Sequence, residues 1–257
     1  MAVVWTKYID NLCHPPADPD RLADFVRSGL LGEYYMIVKN LGSISRQISK
    51  AATDSGRSPS EITLIGVTKK KPLEMIKEAF EAGLADIGEN YVEDFLDKQG
   101  DYHPQGLNYH FIGRLPTRKV RKVVGKAHLI HSVDSIKLAK KIDFVSSEEK
   151  VHQDVLIQVN QGGELSKSGT EMENLGTLVK EASALPNICV KGLMSIPPFQ
   201  EPASPYFIQL RLLRDNLQEN IGIELPFLSM GMSGDFVEAI SEGATHIRVG
   251  TSIFGER

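Results

Sequence analysis

Strand-like segments alternate with helical patterns from residue 62 to the end of this sequence, and that alternation constrains the fold more than any other feature. Eight short apolar runs predict strands, and amphipathic runs between them predict helices. The predicted strands are Ile62–Thr68, Ala85–Gly88, Tyr109–Gly113, His128–Val133, Val155–Asn160, Val190–Ile196, Pro226–Met230 and His246–Gly250. The predicted helices include Leu73–Ala82, Asn90–Gln99, Ser135–Ile142, Met172–Ala184, Tyr206–Asn220 and Phe236–Glu242. Eight such units in fewer than 200 residues favour one α/β domain, a (β/α)8 TIM barrel, over an open doubly wound sheet.

A further helical pattern precedes the first predicted strand. Between Gly32 and Gly56, apolar residues recur at the spacing of an amphipathic helix. Only residues 251–257 follow the last predicted strand, which is too short a segment for a full eighth helix. We therefore expect the extra amino-terminal helix to cover that gap. Residues 33–257 are predicted to form the barrel, and residues 1–32 an amino-terminal appendage.

Composition and charge exclude several classes of function. The chain has 257 residues, a net charge of −4 and a pI near 6.0, which give no electrostatic basis for general binding to nucleic acid. The basic run at residues 114–122 has no interleaved aromatic residues, so it predicts a solvated helix face. No segment predicts a membrane span. His110 and His131 lack metal-ligand spacing, so we interpret them as structural histidines and predict no metal site.

The amino terminus and the cysteine content bear on the compartment. The first residues lack the basic start and unbroken apolar core of a signal peptide. Two cysteines, Cys13 and Cys189, are too few for the disulfide framework of a secreted domain. Both observations predict a cytoplasmic protein.

The first predicted strand ends in three consecutive lysines, Lys69, Lys70 and Lys71. Strand alternation places Lys69 on the same face as Ile65 and Val67, and it places Lys70 on the opposite face. Lys71 is predicted to lie in the first turn of the next helix. A solvated charge cluster accounts for such a run on its own, so a chemical role for Lys69 depends on the other strand ends.

Polar residues such as Asn90 and Arg248 lie near other predicted strand ends, where barrels place their active sites. The most specific pattern follows the last two strands, where residues 228–236 read Leu-Ser-Met-Gly-Met-Ser-Gly-Asp-Phe and residues 248–251 read Arg-Val-Gly-Thr. Phosphate sites of barrels recur at these two loops, where backbone N–H groups meet the anion. Ser233 is predicted to cap the following helix and to donate its hydroxyl, although an ordinary capping turn has the same pattern.

A lysine on the first strand and a phosphate site on the last two strands become neighbours once a barrel closes. A phosphorylated aldehyde can bind its phosphate at those loops and condense with Lys69. A Schiff base needs a neutral amine, and like-charge repulsion from Lys70 and Lys71 is expected to lower the pKa of Lys69. Pyridoxal 5′-phosphate fits this arrangement.

Nine short motifs, in order over residues 33–257, carry a family resemblance. They are Gly66-Val-Thr-Lys-Lys-Lys-Pro72, Gly88-Glu-Asn-Tyr-Val92, His110-Phe-Ile-Gly113, Ile130-His-Ser-Val-Asp-Ser135, Ile157-Gln-Val-Asn160, Ser166-Lys-Ser-Gly169, Gly192-Leu-Met194, Leu228-Ser-Met-Gly-Met-Ser233 and Arg248-Val-Gly-Thr251. Together they resemble the pyridoxal phosphate homeostasis proteins, the YggS/PROSC group. That group is similar in fold to the amino-terminal barrel of alanine racemase.

The resemblance implies a cytoplasmic protein that holds pyridoxal 5′-phosphate as a Schiff base on Lys69. It implies that Asn90 lies beside the cofactor and that Arg248 faces the pyridine nitrogen. The residues that it implies for phosphate binding are Met232, Ser233, Gly250 and Thr251. An arginine at the ring nitrogen, unlike an aspartate, disfavours protonation there and weakens the cofactor as an electron sink.

The sequence departs from the family pattern at three places. The usual Ser-Lys-Thr-Lys-Pro is Thr-Lys-Lys-Lys-Pro at residues 68–72, so Lys70 replaces a neutral residue. The usual Gly-His-Leu-Gln-Ser-Asn-Lys is Gly-Arg-Leu-Pro-Thr-Arg-Lys at residues 113–119, which makes that loop more basic. The segment before residue 33 has no counterpart in the family.

Three functions stay open at this point. The leading hypothesis is a monomeric carrier that holds pyridoxal 5′-phosphate and delivers it to apo-enzymes without substantial catalysis of its own. The alternative is an amino-acid racemase or decarboxylase of the alanine racemase type. Racemases of this fold take a second base from a carboxyl-terminal domain, and this sequence ends after the eighth strand, so we expect no racemase. The third is a Schiff-base aldolase, but its lysine usually lies on a later strand, and Lys191 begins the sixth strand instead of ending it.

Overall fold

Eight parallel strands pair in chain order, and the last pairs with the first, so that the sheet closes into a barrel. The computed structural model describes residues 31–163, 168–199 and 201–256. The strands are β1 Thr63–Val67, β2 Asp86–Glu89, β3 Asn108–Phe111, β4 Leu129–Val133, β5 Gln153–Val159, β6 Ile188–Ser195, β7 Phe227–Ser229 and β8 His246–Val249. The predicted (β/α)8 barrel is confirmed, and each predicted strand overlaps an observed one.

Helices alternate with the strands because each amphipathic run buries one face against the sheet. They are α1 Leu31–Asp54, α2 Leu73–Glu81, α3 Val92–Asp101, α4 Ile136–Glu149, α5 Met172–Ser183, α6 Ser204–Ile221, α7 Phe236–Ser241 and α8 Thr251–Phe254. The predicted helices are confirmed, and the short α8 is an addition to them. None of the described helices combines the length and the apolarity that a bilayer span requires.

The basic run after β3 forms a 3₁₀ helix, Thr117–Lys122, in which Arg118, Arg121 and Lys122 are exposed, so the predicted solvated helix face is confirmed. Its cations pair with carboxylates of neighbouring helices. Lys119 Nζ lies 2.7 Å from Glu93 Oε1, and Arg121 Nη1 lies 3.0 Å from Glu149 Oε1. The run therefore fastens a short turn to α3 and α4.

Helix α1 covers the gap predicted beside the last strand. It packs against α2, α7 and α8, and its residues Ile37 and Leu41 are fully buried. Asn40 Nδ2 donates a 3.0 Å hydrogen bond to the backbone carbonyl of Ile253, which ties α1 to α8. Of the predicted amino-terminal appendage, residues 1–30 lie outside the described residues. The boundary between appendage and barrel stays a prediction.

The barrel interior has an apolar part and a polar part. Leu129, Leu156 and Met194, from β4, β5 and β6, pack together as a small apolar cluster. On the polar side, His131 of β4 meets Ser229 of β7, with 2.9 Å between Nδ1 and Oγ. These two strands are not neighbours, so their side chains can meet only inside the barrel. Barrels of this kind are mostly filled with branched apolar residues, which makes the polar part unusual.

Candidate functional site

Strand β1 delivers Lys69 to the carboxyl end of the barrel. The strand ends at Val67, and the following residues form a turn in which Lys69 is half-buried and Lys70 is exposed. Lys70 has φ 59°, in the left-handed region. Lys69 and Lys70 both lie in this turn, beyond the end of β1, which corrects the prediction that strand alternation sets their directions.

Lys71 holds the carboxyl-terminal segment against the β1 loop. Helix α2 begins at Leu73, so the prediction that Lys71 lies in its first turn is wrong. Lys71 Nζ donates to the backbone carbonyls of Phe254, Gly255 and Glu256, at 2.9, 3.2 and 3.0 Å. Carbonyls at the end of a helix such as α8 favour a cation. Of the three lysines, Lys71 therefore has a structural role, because it binds the carboxyl-terminal segment.

A buried ion pair lies beneath the β1 loop. Lys98 Nζ of α3 lies 2.6 Å from Glu89 Oε1 and donates a 2.7 Å hydrogen bond to the carbonyl of Thr68. The Thr68 hydroxyl donates to the same carboxylate oxygen at 2.6 Å. Burial raises the pKa of Glu89 above its ordinary value, although the bonds from Lys98 and Thr68 lower it. The residue before Lys69 is therefore fixed through both its carbonyl and its side chain.

Asn90 follows β2 at the same end of the barrel. Its Oδ1 is buried and has no hydrogen-bond partner among the described residues. A Cβ at Gly113 would lie 2.0 Å from the Asn90 carbonyl oxygen, so the ends of β2 and β3 touch there. A cavity of about 240 Å³ opens beside Asn90, and Arg114 and Gln158 contribute to its lining. Asn90 can therefore offer an unused acceptor to a ligand.

Arg248 is a buried cation on the inner face of β8, with 5% of its surface exposed. Its Nη1 lies 2.6 Å from Ser229 Oγ, and its Nη2 donates a 2.8 Å bond to the carbonyl of Ser195. Burial lowers its pKa to about 10, although the charge of Asp235 raises it. Arg248 therefore stays protonated near neutral pH. Within the described ranges, no carboxylate forms an ion pair with it.

The loops after β7 and β8 are joined by Ser233. Its Oγ accepts a 3.2 Å hydrogen bond from the Gly250 amide. The amide of Met232 donates to Asp235 Oδ1 at 2.5 Å. Helix α7 begins after Asp235, so the prediction that Ser233 caps this helix is wrong. Ser233 instead lies in the loop before α7, where its hydroxyl contacts the loop after β8. We call this contact, which joins the two loops, the Ser233 clip.

Barrel closure places the predicted site residues on neighbouring strands. Gly66 of β1 pairs with Val249 of β8, and a Cβ at Gly250 would lie 3.4 Å from Val67 Cβ. The end of β1, which carries Lys69, is therefore adjacent to the Ser233 clip. Asn90 follows the strand on the other side of β1. Thr251 begins α8 and is exposed.

Several supporting residues carried no clear signal in the sequence. Lys98 lies in a helix with several other charged residues, so its sequence context did not distinguish it from a surface lysine. His110 and His131 are hydrogen-bonded, as expected of structural histidines, but they also connect to Arg248 through Ser229. Among the described residues, no group of three or more His, Cys, Asp or Glu side chains could hold a metal ion.

Comparison with known proteins gives consistent matches. The family model for the alanine racemase N-terminal domain matches residues 40–257. The pyridoxal phosphate homeostasis protein of Aquifex aeolicus is 46% identical over 222 residues, which cover 85% of this chain and 97% of that protein. The protein of the same name from Pseudomonas aeruginosa is 40% identical over 222 residues, with coverage of 86% and 96%. The solved structure of PipY from Synechococcus elongatus, with PLP bound, is 35% identical with a TM-score of 0.73, and the match covers 81% of this chain and 100% of that one.

Proposed function

Because this chain belongs to the family of pyridoxal phosphate homeostasis proteins, we propose that it binds pyridoxal 5′-phosphate and acts in the homeostasis of this cofactor. The observation that carries the proposal is the contact between Ser233 and Gly250 at the end of the strand that pairs with β1. It joins the two loops that carry the predicted phosphate ligands, next to the end of the strand that leads to the half-buried Lys69. A phosphorylated aldehyde needs both features.

The donor set suits each part of this cofactor. Lys69 supplies the amine that condenses with the aldehyde, with loss of one water molecule. The phosphate would be held by Met232, Ser233, Gly250 and Thr251, and Asn90 would lie beside the ring. Arg248 would face the pyridine nitrogen. When bound, the cofactor supplies an aldehyde that can pass from one amine to another.

The chemistry of Arg248 favours a carrier over an enzyme. This cation keeps its proton near neutral pH, because burial lowers its pKa only to about 10. A positive charge at the pyridine nitrogen opposes protonation of the ring, and an unprotonated ring stabilises a carbanion poorly. We therefore propose that the protein delivers the cofactor to apo-enzymes without substantial turnover. The proposal includes a monomeric state and a cytoplasmic location, the latter based on the cysteine content of the sequence.

The test combines covalent trapping with a turnover assay on the full chain. Borohydride treatment after incubation with pyridoxal 5′-phosphate should attach the pyridoxyl group to Lys69, as found by peptide mapping. The loaded protein, incubated with L-amino acids in deuterated water, should show no sustained α-deuteration or loss of chirality. Lys69→Ala should lose the label, whereas the control Lys70→Ala should keep it.

Two results would contradict the proposal. A label that lies chiefly on Lys70 or Lys71 would assign the wrong lysine. Sustained turnover of any amino acid, abolished in Lys69→Ala, would favour a racemase or decarboxylase over the carrier.

A further inference from the structure

Four hydrogen bonds in series cross the barrel interior from Asp86 to Arg248. Asp86 Oδ1 lies 3.0 Å from His110 Nε2, and His110 Nδ1 lies 3.0 Å from His131 Nε2. His131 Nδ1 lies 2.9 Å from Ser229 Oγ, which lies 2.6 Å from Arg248 Nη1. Asp86 begins β2 and Arg248 lies towards the end of β8, so the series runs towards the carboxyl end of the barrel.

The two ends of this series fix the direction of its hydrogen bonds. An ionised carboxylate only accepts, so His110 donates to Asp86 through Nε2. A guanidinium only donates, so Ser229 accepts from Arg248. With both rings neutral, His110 accepts at Nδ1 from His131 Nε2, and His131 accepts at Nδ1 from the Ser229 hydroxyl. Both histidines therefore carry their proton on Nε2, and the hydroxyl hydrogen of Ser229 is committed to His131.

The surroundings support an ionised carboxylate at one end of the series and a neutral His131 within it. Burial, supported by the charge of Arg248, holds the pKa of His131 well below its ordinary value. Burial alone would raise the pKa of Asp86, but the hydrogen bonds from His110 and Asn108 lower it below its ordinary value.

A committed hydroxyl hydrogen changes what Ser229 offers to Arg248. With its hydrogen directed at His131, the oxygen presents only lone pairs to Nη1. The carbonyl of Ser195 accepts from Nη2. Two fixed acceptors on two different nitrogens define the plane of a rigid guanidinium fork. The orientation of Arg248 thus depends on residues that it does not touch.

We propose that Asp86, His110, His131 and Ser229 are positioning residues that fix the plane of Arg248 at the ring end of the cofactor site. This inference rests on the proposed function, because that function places Arg248 at the pyridine nitrogen. A guanidinium held in one plane keeps its charge directed at the ring. A guanidinium that can rotate would oppose protonation of the pyridine nitrogen less strongly.

A role in stability alone is the competing explanation. A closed barrel is filled equally well by branched apolar side chains, and replacing buried polar groups by apolar ones is often neutral or stabilising. Stability alone therefore does not account for a directed series that ends on a cation. The two explanations differ in the spectrum of the bound cofactor, which a purely structural role would leave unchanged.

Two buried serines give a matched pair of variants. Ser229 bonds Arg248 through its hydroxyl, and Ser195 through its backbone carbonyl. Ser229→Ala removes an acceptor from Arg248, whereas Ser195→Ala keeps the carbonyl. We expect Ser229→Ala to weaken pyridoxal 5′-phosphate binding roughly tenfold, as for the loss of one bond to a charged group, and to shift the absorption of the bound cofactor. Ser195→Ala should match the wild type.

The remote end of the series is tested by Asp86→Leu. This residue does not contact Arg248, so a change in the absorption of the bound cofactor in the same direction as in Ser229→Ala would support the inference. Ser229→Thr keeps a hydroxyl and should restore the wild-type spectrum. Identical spectra in the wild type, Ser229→Ala and Asp86→Leu would overturn it.

A second measurement needs neither cofactor nor variant. In the full chain labelled with ¹⁵N-histidine, nuclear magnetic resonance should show His110 and His131 with the proton on Nε2 at neutral pH. A proton on Nδ1 of His131 would reverse the series and overturn the inference. Borohydride trapping, together with the spectra of the variants, separates the two proposals. Absence of any borohydride adduct in the wild type would contradict the proposed function, whereas a normal adduct with unaltered variant spectra would contradict only the positioning role.

Discussion

At the scale of single residues, Ser233 shows how one hydroxyl can shape a site without capping a helix. Its Oγ and the amide of Gly250 meet across 17 residues of sequence. The contact ties the loop after β7 to the loop after β8, the two loops that we propose to bind the phosphate. An alanine there would leave the helix α7 unchanged, because Ser233 makes no capping bond to it.

Ser233→Ala is predicted to weaken the binding of pyridoxal 5′-phosphate more than that of pyridoxal. A hydrogen bond to a charged group contributes about 1.5–3 kcal/mol, so the affinity for the phosphorylated form should fall by about ten- to a hundredfold. Pyridoxal has no phosphate to lose contacts, and it should bind weakly to both proteins. Equilibrium titration of each compound measures the difference.

The control for this prediction is Ser241→Ala. Ser241 is an exposed residue of α7 whose hydroxyl donates to the carbonyl of Val237, within the same helix. Its replacement should leave both affinities unchanged. Equal affinities of the wild type for pyridoxal and pyridoxal 5′-phosphate would place the phosphate away from the Ser233 loop.

At the scale of elements, the loop after β1 is held by its neighbours rather than by its own sequence. Helix α3 sends Lys98 to Glu89 at the end of β2 and to the Thr68 carbonyl at the end of β1. Three elements therefore meet at one ammonium group. Glu89 is fully buried, so its charge depends on this partner.

Lys98→Met is predicted to destabilise the fold by about 3–5 kcal/mol at neutral pH, because it leaves the buried charge of Glu89 unpaired. The pKa of Glu89 is already above its ordinary value, so the carboxyl binds its proton more readily in the folded chain. Stability associated with this group is therefore greatest at low pH and falls as the pH rises through the folded pKa. The loss in Lys98→Met should accordingly be smaller at pH 5 than at pH 7.

Lys119→Met is the matched control for the buried pair. Lys119 also pairs with a glutamate, Glu93, at 2.7 Å, but 57% of the Glu93 side chain is exposed. Solvent screens an exposed pair, so this variant should be nearly neutral at either pH. Denaturant unfolding of both variants measures the contrast. Equal losses in the two would show that the pair at Glu89 has no special weight.

At the scale of the whole molecule, the polar barrel interior makes the fold sensitive to acid. His131 and His246 are buried, and their ring centroids lie 6.0 Å apart. Burial lowers the pKa of His246 to about 3. The pKa of His131 also lies well below its ordinary value. Both rings are therefore neutral in the folded chain over a range in which an exposed histidine is charged.

The free energy of unfolding is predicted to fall as the pH falls below about 6.5. A pKa that folding depresses means that the unfolded chain binds the proton first. The stability linked to the neutral ring is complete above the unfolded pKa and is lost as the pH falls towards the folded pKa. Each such histidine should contribute a slope of about 1.4 kcal/mol per pH unit in that range.

His246→Gln tests this source of the slope. It removes one depressed group, so its free energy of unfolding should vary less between pH 6 and pH 4 than that of the wild type. His152 is exposed, and His152→Gln should keep the wild-type slope. Denaturant unfolding at each pH gives the values. Parallel curves for the wild type and His246→Gln would mean that other groups govern the acid response.

The sequence by itself determined the eight strands, the helices between them and the closed barrel. These features follow from local periodicity, since a strand or an amphipathic helix is encoded within about ten residues. Because the ends of parallel strands must gather at one end of a barrel, the sequence also placed Lys69, Asn90 and Arg248 near a common site. The extra helix α1 was predictable for the same reason, as an apolar stripe that needed a surface to cover.

Only the tertiary structure decided which side chains meet. The contact between His131 and Ser229 joins residues 98 positions apart on strands that are not neighbours, and that between Ser233 and Gly250 joins two loops. Such contacts depend on the tilt and stagger with which the strands close, which no local pattern encodes. Strand alternation also fails for Lys70, where the strand has already turned. The sequence therefore predicted the site residues, and barrel closure decided the network of side chains around them.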